Sequence, residues 1–437
     1  MKTSLLTNFK DEELHSSFQN LTKIVLNHLN DDLNFQIKEL FSDFQKNAFN
    51  KIFKKYFSKF KNSPEYKNFE SVLIKKYAKN FSVPTGTSDN LWQLKVEDLV
   101  ENIFVDYLWK YGLTWQPDIL EDYYSDLEKY LIDNKIRITV ITPVIGLQST
   151  ESTILLADEI SLTIIPKQRE IQFQGGTDVI KYAFANYDLK FEYLVDKLYE
   201  KIPEENNIPV SHKAKIVIQN IIIIFRLYRK GRVGVIDSDL LHSVFSGSLS
   251  WQNPRCGLPK DWRFWNKPKF ILEKNDIEEI QKLRIEIQKI SSRNDNEEIL
   301  RSIDRFMTSY EQDLIEDRIL DLIISLESLL QNEIDELRYK LSIRTAKFLG
   351  NTPEERNTIY KTILVGYSVR NKTAHGKELP TIKIGIEEIT LEVLADRIEE
   401  YVRNSIKKMI KLRNDDNKRK TIIDNLDSEL FLESSEN

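Results

Sequence analysis

The chain has 437 residues, long enough for two or three domains that each bury a core. Hydrophobic residues make up 41% and charged residues 30%, with only 13 Gly and 12 Pro, which excludes collagenous and disordered classes. Acidic side chains outnumber basic ones 68 to 63, so the net charge of −5 gives no global pull toward nucleic acid, and such a partner has to be held by a local patch.

Cys256 is the single cysteine. One thiol forms neither an intrachain disulfide nor a thiolate zinc site, which points to a cytoplasmic protein. Met1–Lys10 lacks the apolar stretch of a signal peptide. The most apolar run, Ile216–Phe225, is interrupted by Gln219 and Asn220 and is half the ~20 residues that cross a bilayer. No membrane partner is expected.

Residues 1–132 read as helical, with Ile and Leu at three- and four-residue spacings through Leu21–Leu40, near Leu73 and through Leu99–Leu131. Pro84–Gly86 is the clearest break there. From 136 the period changes: Ile136, Ile138 and Val140 alternate with Arg137 and Thr139, Ile160, Leu162 and Ile164 with Ser161 and Thr163, and Ile171 and Phe173 with Gln172. A small sheet is expected within 136–175, followed by a helix over 189–201. Ile216–Phe225 suits a strand by its Ile content and a buried helix by its length. Asn275 and Glu278 resemble a helix cap ahead of an apolar face formed by Ile277, Ile280, Leu283, Ile287 and Ile290. The polar stretch Ser291–Asn296 marks a domain boundary, and beyond it the chain reads as helical to about Leu412.

The expected fold class is mainly α with a smaller β-containing middle. It comprises a helical N-terminal region (1–132) of unknown role, a mixed α/β middle domain (133–290) with a sensor or regulatory part, a helical bundle (296–412) and a charged, fraying tail (413–437).

Within the bundle, Leu320, Ile323, Ile324, Glu327 and Leu330 form one stripe, so Glu327 is either salt-bridged in the core, with Arg338 or Arg344 of the next helix as its partner, or part of a site. Thr352, Pro353 and Glu355 mark a capped helix start. Ile359, Ile363, Gly366 and Arg370 then follow at steps of four, three and four, which turns the Arg370 guanidinium into a seam. Gly376 suits a left-handed helix stop and leaves His375 at the helix end, free to turn toward Arg370. The last helix presents Leu391, Leu394, Ala395, Ile398, Val402, Ser405 and Met409 on one face.

Glu311–Gly376 resembles the Apea-like HEPN family. Three segments carry the resemblance: EDRILDLIISLESLL (316–330), ELRYKLSIRTAKFLG (336–350) and YSVRNKTAHG (367–376). The last matches the family's catalytic pattern of an Arg, a polar residue, three further residues and a His. The resemblance is close over 311–376 and extends more loosely over 296–412; IIIIFRLYRKGRVGV (221–235) and LLADEISLTIIP (155–166) resemble segments ahead of the domain in similar proteins more faintly. It implies a helical bundle that forms a homodimer with two motifs facing each other in a shared cleft. It also implies metal-independent RNA cleavage with no cofactor, in prokaryotic stress or anti-phage defence, with a phage-derived or nucleic-acid trigger. By motif match His375 is the acid–base residue, Arg370 the phosphate binder and Asn371 the accessory polar group, with Glu327 in a supporting position. Some HEPN toxins carry a Tyr two residues after the His, the site that a paired nucleotidyltransferase antitoxin modifies. Lys377 stands there in this chain, so that route of regulation is not expected.

The residue types suit the chemistry. RNA carries its own nucleophile, the 2′-OH, and cleavage needs one proton removed from it and another delivered to the 5′-oxygen. Histidine titrates nearest neutrality, and a two-fold dimer supplies two copies of His375. Arginine offers a planar fork to the phosphate oxygens as charge grows on them.

Two further stretches are candidate RNA contacts. Lys46–Lys79 holds ten Lys among Phe and Tyr residues, among them Lys54, Lys55, Lys59 and Lys61; Lys260–Lys269 sets Trp262 and Trp265 beside Arg263. The competing reading makes their aromatic residues core. His15, His28, His212 and His242 lack metal-ligand spacing and read as structural, and no metal site is expected. The alternatives to an endoribonuclease are a non-catalytic HEPN scaffold that binds RNA or protein, and a small-molecule enzyme in 136–270; no Gly-rich phosphate loop or nucleophile elbow supports the latter.

Overall fold

The computed structural model describes residues 11–31, 53, 56–77, 82–84, 91–93, 96–111, 115–133, 135–165, 185–196, 210–235, 238–242, 249–251, 268–332, 336–376, 382–415 and 417–432. The fold is mainly α with a smaller sheet in the middle of the chain. Apolar spacing accounts for the N-terminal helices α1 (Glu12–Asp31), α2 (Pro64–Tyr77), α3 (Val96–Tyr111) and α4 (Pro117–Ile132). Their core centres on Phe18, whose ring packs against Phe69, Phe104 and Tyr124. The break at Pro84 is a short antiparallel pair, β1 (Ser82–Pro84) with β2 (Leu91–Gln93).

The middle sheet is antiparallel. It contains β3 (Lys135–Ile145), β5 (Thr153–Ala157), β6 (Ile160–Ile164), β7 (Ala185–Asp196), β8 (Gly234–Val235), β9 (Ser238–His242) and β10 (Leu249–Trp251). Their order is β10-β9-β3-β7-β6-β5, with β8 also on β3. Outside it, β4 (Leu147–Ser149) pairs in parallel with β11 (Phe270–Leu272). The helix expected over 189–201 is replaced by β7 through Asp196. Leu189 and Phe191 can serve either period, but Tyr187, Leu189 and Phe191 are buried on one pleat face, and β7 has a partner on each edge. Two-sided pairing outweighs local propensity. Ile171 and Phe173 lie outside the described residues.

The ambiguous apolar run is a helix, α5 (Val210–Tyr228), and burial on nearly every side explains its uniform Ile content: Ile218, Ile221, Ile222, Ile224 and Phe225 are all buried. It packs on α6 (Asp276–Ser291) and α7 (Glu297–Thr308). The Asn275 side chain makes no cap hydrogen bond, contrary to expectation; Asp276 closes that turn by accepting from the Glu273 N–H. The polar break at 291–296 is no linker. Asn296 is buried, donates to the Ile290 carbonyl and accepts from Arg413, and the helices on either side share one core.

The bundle continues with α8 (Ile315–Leu330), α9 (Leu337–Leu349), α10 (Pro353–Ala374) and α11 (Leu391–Asn414). A hairpin, β12 (Ile382–Ile384) with β13 (Glu387–Ile389), interrupts the helical run that the sequence predicts to Leu412; Gly385, at φ +62, opens its two-residue turn. The tail also differs from expectation. Residues 419–432 form α12 (Arg419–Leu432), held by Ile422, Ile423 and Leu426 in the core. Arg344 reaches Asp427 on it at 2.6 Å, and Arg419 donates to the Ser328, Leu329 and Gln331 carbonyls at the end of α8.

A buried ionic cluster joins the middle of the chain to the bundle. Glu399 of α11 is fully buried and accepts from Arg318 of α8, from Arg403 one turn on, from Arg232 at 3.3 Å and from the Tyr310 hydroxyl at 2.8 Å. Arg403 donates in turn to the Arg226 carbonyl at 2.8 Å, and the Arg226 guanidinium lies 4.3 Å from the Tyr310 ring centroid. Burial raises the carboxyl's pKa, but the three arginines outweigh it and hold Glu399 well below the usual carboxylate range. Its stabilisation is therefore complete above the ordinary glutamate range and is lost only as pH falls through that depressed value. Glu399→Gln keeps the shape and removes the one carboxylate that all three guanidiniums share, leaving Arg318 and Arg232 to Asp396 and Arg403 to Glu400, so urea unfolding at neutral pH should show a loss of up to about 3–5 kcal/mol. An unchanged midpoint would mean that the cluster contributes nothing net.

Candidate active site

The start of α10 has the expected geometry. Thr352 Oγ1 accepts from the Glu355 N–H at 3.2 Å, Pro353 occupies the first turn, and the Glu355 carboxylate accepts from the Asn351 N–H at 2.8 Å. Midway along, Gly366 removes the side chain where α10 meets two neighbours. A Cβ there would lie 2.5 Å from Ile398 Cδ1 and 3.2 Å from Ile323 Cδ1. This close approach to α8 and α11 sets Arg370, one turn on, beside Glu327 of α8.

Glu327 lies on the flank of the buried face of α8. Ile319, Leu322, Ile323, Leu326 and Leu330 fill the core, whereas Leu320, Ile324 and Glu327 are half-buried. Neither partner expected from the sequence is used: Arg338 is exposed, and Arg344 is committed to Asp427, the Leu330 carbonyl and Gln331. The partner is Arg370, whose Nη2 stands 3.5 Å from Glu327 Oε2, a long contact. Arg370 Nη1 donates to Asn371 Oδ1 at 3.1 Å, and its guanidinium lies 5.5 Å from the centroid of Tyr367. Arg370 Nε has no hydrogen-bond partner among the described residues. Tyr367 was not anticipated, although its place three residues before Arg370 puts the two side chains on one helical face.

Burial pushes the Glu327 carboxyl above the usual range, and the Arg370 charge and Tyr367 hydroxyl only partly oppose it. Burial, with Glu327 second, likewise pushes the Tyr367 hydroxyl up.

His375 is the C-cap of α10, and Gly376 follows in the left-handed conformation at φ +61, as the sequence predicts. Its side chain is exposed, and no hydrogen bond links its ring to Arg370, Asn371 or Glu327. One chain thus brings together Arg370, Asn371, Glu327 and Tyr367 and leaves the imidazole on the surface one helical turn away.

The other candidates fall elsewhere. Lys61 is ion-paired with Glu97, and Lys59 stands 4.7 Å from the Tyr56 ring centroid. Phe53, Phe57 and Phe60 around them are core residues and offer no stacking surface. Lys54, Lys55, Trp262, Arg263 and Trp265 lie outside the described residues. His15 pairs with Glu121 at 2.8 Å, and His28 packs edge-on against Phe60. The side chains of His212 and His242 are outside the described residues. No group of three or more His, Cys, Asp or Glu that could hold a metal occurs among the described residues, and no helix among them is long and apolar enough to cross a membrane.

No family model matches the chain, and neither a curated protein nor a solved structure is significantly similar to it.

Because Glu327 is raised, the folded chain keeps its proton to higher pH than the unfolded chain does, and ionisation above that point penalises the fold. Below the ordinary glutamate range both states are protonated and the penalty vanishes. Glu327→Gln should therefore melt no lower than the wild type at neutral pH, with any gain disappearing in acid. A variant markedly less stable at neutral pH would make the Arg370 ion pair a net stabiliser.

Proposed function

We propose that the chain is an endoribonuclease of the Apea-like HEPN type, acting as a homodimer on RNA. The observation that carries the reading is the end of α10: a half-buried arginine beside a carboxylate, five residues ahead of an exposed C-cap histidine. In the proposed reaction the 2′-oxygen attacks the adjacent phosphorus and the bond to the 5′-oxygen breaks. One His375 takes the 2′-OH proton and the His375 of a second chain protonates the departing 5′-oxygen. Arg370 donates to the phosphate oxygens, and Asn371, already bonded to Arg370, orients it. An exposed imidazole one turn from Arg370 suits a cleft completed by a second chain, which would bring its own histidine to the opposite side of the phosphate.

The long Arg370–Glu327 contact supports the same assignment. A short bidentate pair would compete strongly with phosphate, whereas a single contact at 3.5 Å leaves the guanidinium available. In this reading the protein is cytoplasmic and serves as a stress or anti-phage effector. The N-terminal helices and the sheet restrain it until a phage-derived or nucleic-acid trigger appears.

A second reading, a non-catalytic HEPN scaffold that binds RNA or protein, is favoured by the lack of any bond between the His375 ring and Arg370. The two readings part on the variants. His375→Ala and Arg370→Ala should each abolish cleavage of total cellular RNA, since general acid–base catalysis alone is typically worth about 10²–10⁴-fold. His375 is exposed and Arg370 half-buried, so each should lose on the order of 1 kcal/mol or less of stability. Wild-type protein that binds RNA and leaves it intact would favour the scaffold. Light scattering should find a dimer, and a fully active monomer would rule out the shared cleft.

A further inference from the structure

Beside the Arg370 cluster, the start of α9 and the middle of α10 enclose an open groove of about 620 Å³, lined by Glu336, Leu337, Arg338, Tyr339, Leu364 and Tyr367. Its volume falls in the range of small-ligand sites, roughly 300–1,000 Å³. Leu337, Leu364 and Tyr367 give it an apolar floor. Tyr339 stands at its edge with 55% of its surface exposed, and Tyr360 braces it edge-on, with ring centroids 6.5 Å apart at 84°. Arg338 next to it is exposed and has no ion pair among the described residues. Glu336 at the rim holds a left-handed backbone, φ 56, the one positive-φ residue other than glycine among the described residues. Conformations of this kind persist where the surroundings over-determine them, often at ligand sites.

We propose that this groove is a nucleobase-binding subsite for single-stranded RNA, with one base stacked on Tyr339 and the flanking phosphate on Arg338. An exposed aromatic ring beside an unpaired guanidinium is the pairing that holds single strands without sequence preference. Tyr367 belongs to both places, as part of the groove floor and as the ring beneath Arg370, so with one flanking phosphate on Arg338 the strand's next phosphate is directed toward the Arg370 guanidinium. The Glu336 carboxylate repels a phosphate, which keeps the backbone on the Arg338 side. The proposal rests on the ribonuclease reading for the identity of its ligand.

The test uses the full chain carrying His375→Ala, so that RNA is bound and not cut, and a fluorescein-labelled single-stranded RNA of mixed sequence read by anisotropy. Adding Tyr339→Ala should weaken binding by about 5- to 150-fold, the equivalent of roughly 1–3 kcal/mol for one stacked base. Tyr339→Phe and Tyr339→Trp should retain the affinity, and Arg338→Gln should weaken it with a shallower salt dependence. Tyr339→Ala binding RNA as tightly as its parent would overturn the proposal, as would a parent that binds no RNA. A change in oligomeric state with unchanged RNA affinity would also overturn it and assign the groove to a second copy of the chain. The two hypotheses fail separately. Tyr339-dependent RNA binding in a protein that never cleaves would uphold the groove and refute the nuclease. Cleavage that requires His375 and ignores Tyr339 would do the reverse.

Discussion

The Glu399 carboxylate gathers guanidinium groups from three separate stretches of chain: Arg318 of α8, Arg403 of α11 and Arg232 from the turn beyond α5. A carboxylate that loses all its water pays an effective penalty of several kcal/mol, so it survives here only because each oxygen has charged partners. That requirement constrains where the surrounding helices cross. It fixes α8 against α11, on which α10 also packs, and it pins the end of α5 to the same point through the Arg226 carbonyl. The middle of the chain is therefore fastened to the bundle by an ionic joint as well as by shared apolar core.

The seat of the candidate site follows from that crossing. Ile323 of α8 and Ile398 of α11, next to Glu399, are the side chains that Gly366 is small enough to meet. With α10 drawn in so closely, Arg370 reaches Glu327 across the seam, and Tyr367 is carried beneath its guanidinium. The site is a surface feature resting on a buried joint. A change in the middle of the chain that shifted Arg232 would reach α8 and α11 through Glu399, and the proposed restraint of the bundle by the regions ahead of it has a physical route there.

Much of this was legible in the sequence where a residue's role is set by its neighbours along the chain. Thr352, Pro353, Glu355 and Gly376 bound α10 because caps depend on residues within a turn of the helix end. The alternation from Ile136 gave the sheet its start for a similarly local reason. What stayed hidden depends on residues far apart in sequence. β7 is a strand because β3 and β6 flank it, and Glu327 pairs with a residue 43 positions away in place of either arginine on the next helix. Glu399 and Arg403, at i and i+4 beside the apolar stripe of Leu394, Ala395, Ile398 and Val402, were the local sign of the buried cluster. Arg318 and Arg232 could be joined to them only in three dimensions. The tail read as frayed because its charges dominate, although Ile422, Ile423 and Leu426 carry the stripe that docks it.

The proposed activity rests on the residues at the end of α10, Arg370 beside Glu327 and the exposed His375. The most direct measurement is the end structure of RNA fragments produced by the purified wild-type protein in EDTA. Attack by the 2′-oxygen with His375 moving the protons predicts fragments ending in a 2′,3′-cyclic phosphate or its 3′-phosphate hydrolysis product, with a 5′-OH on the other side of each cut. Fragments bearing a 5′-phosphate and 3′-OH, or cleavage that stops in EDTA and returns with magnesium while the fold persists, would contradict it.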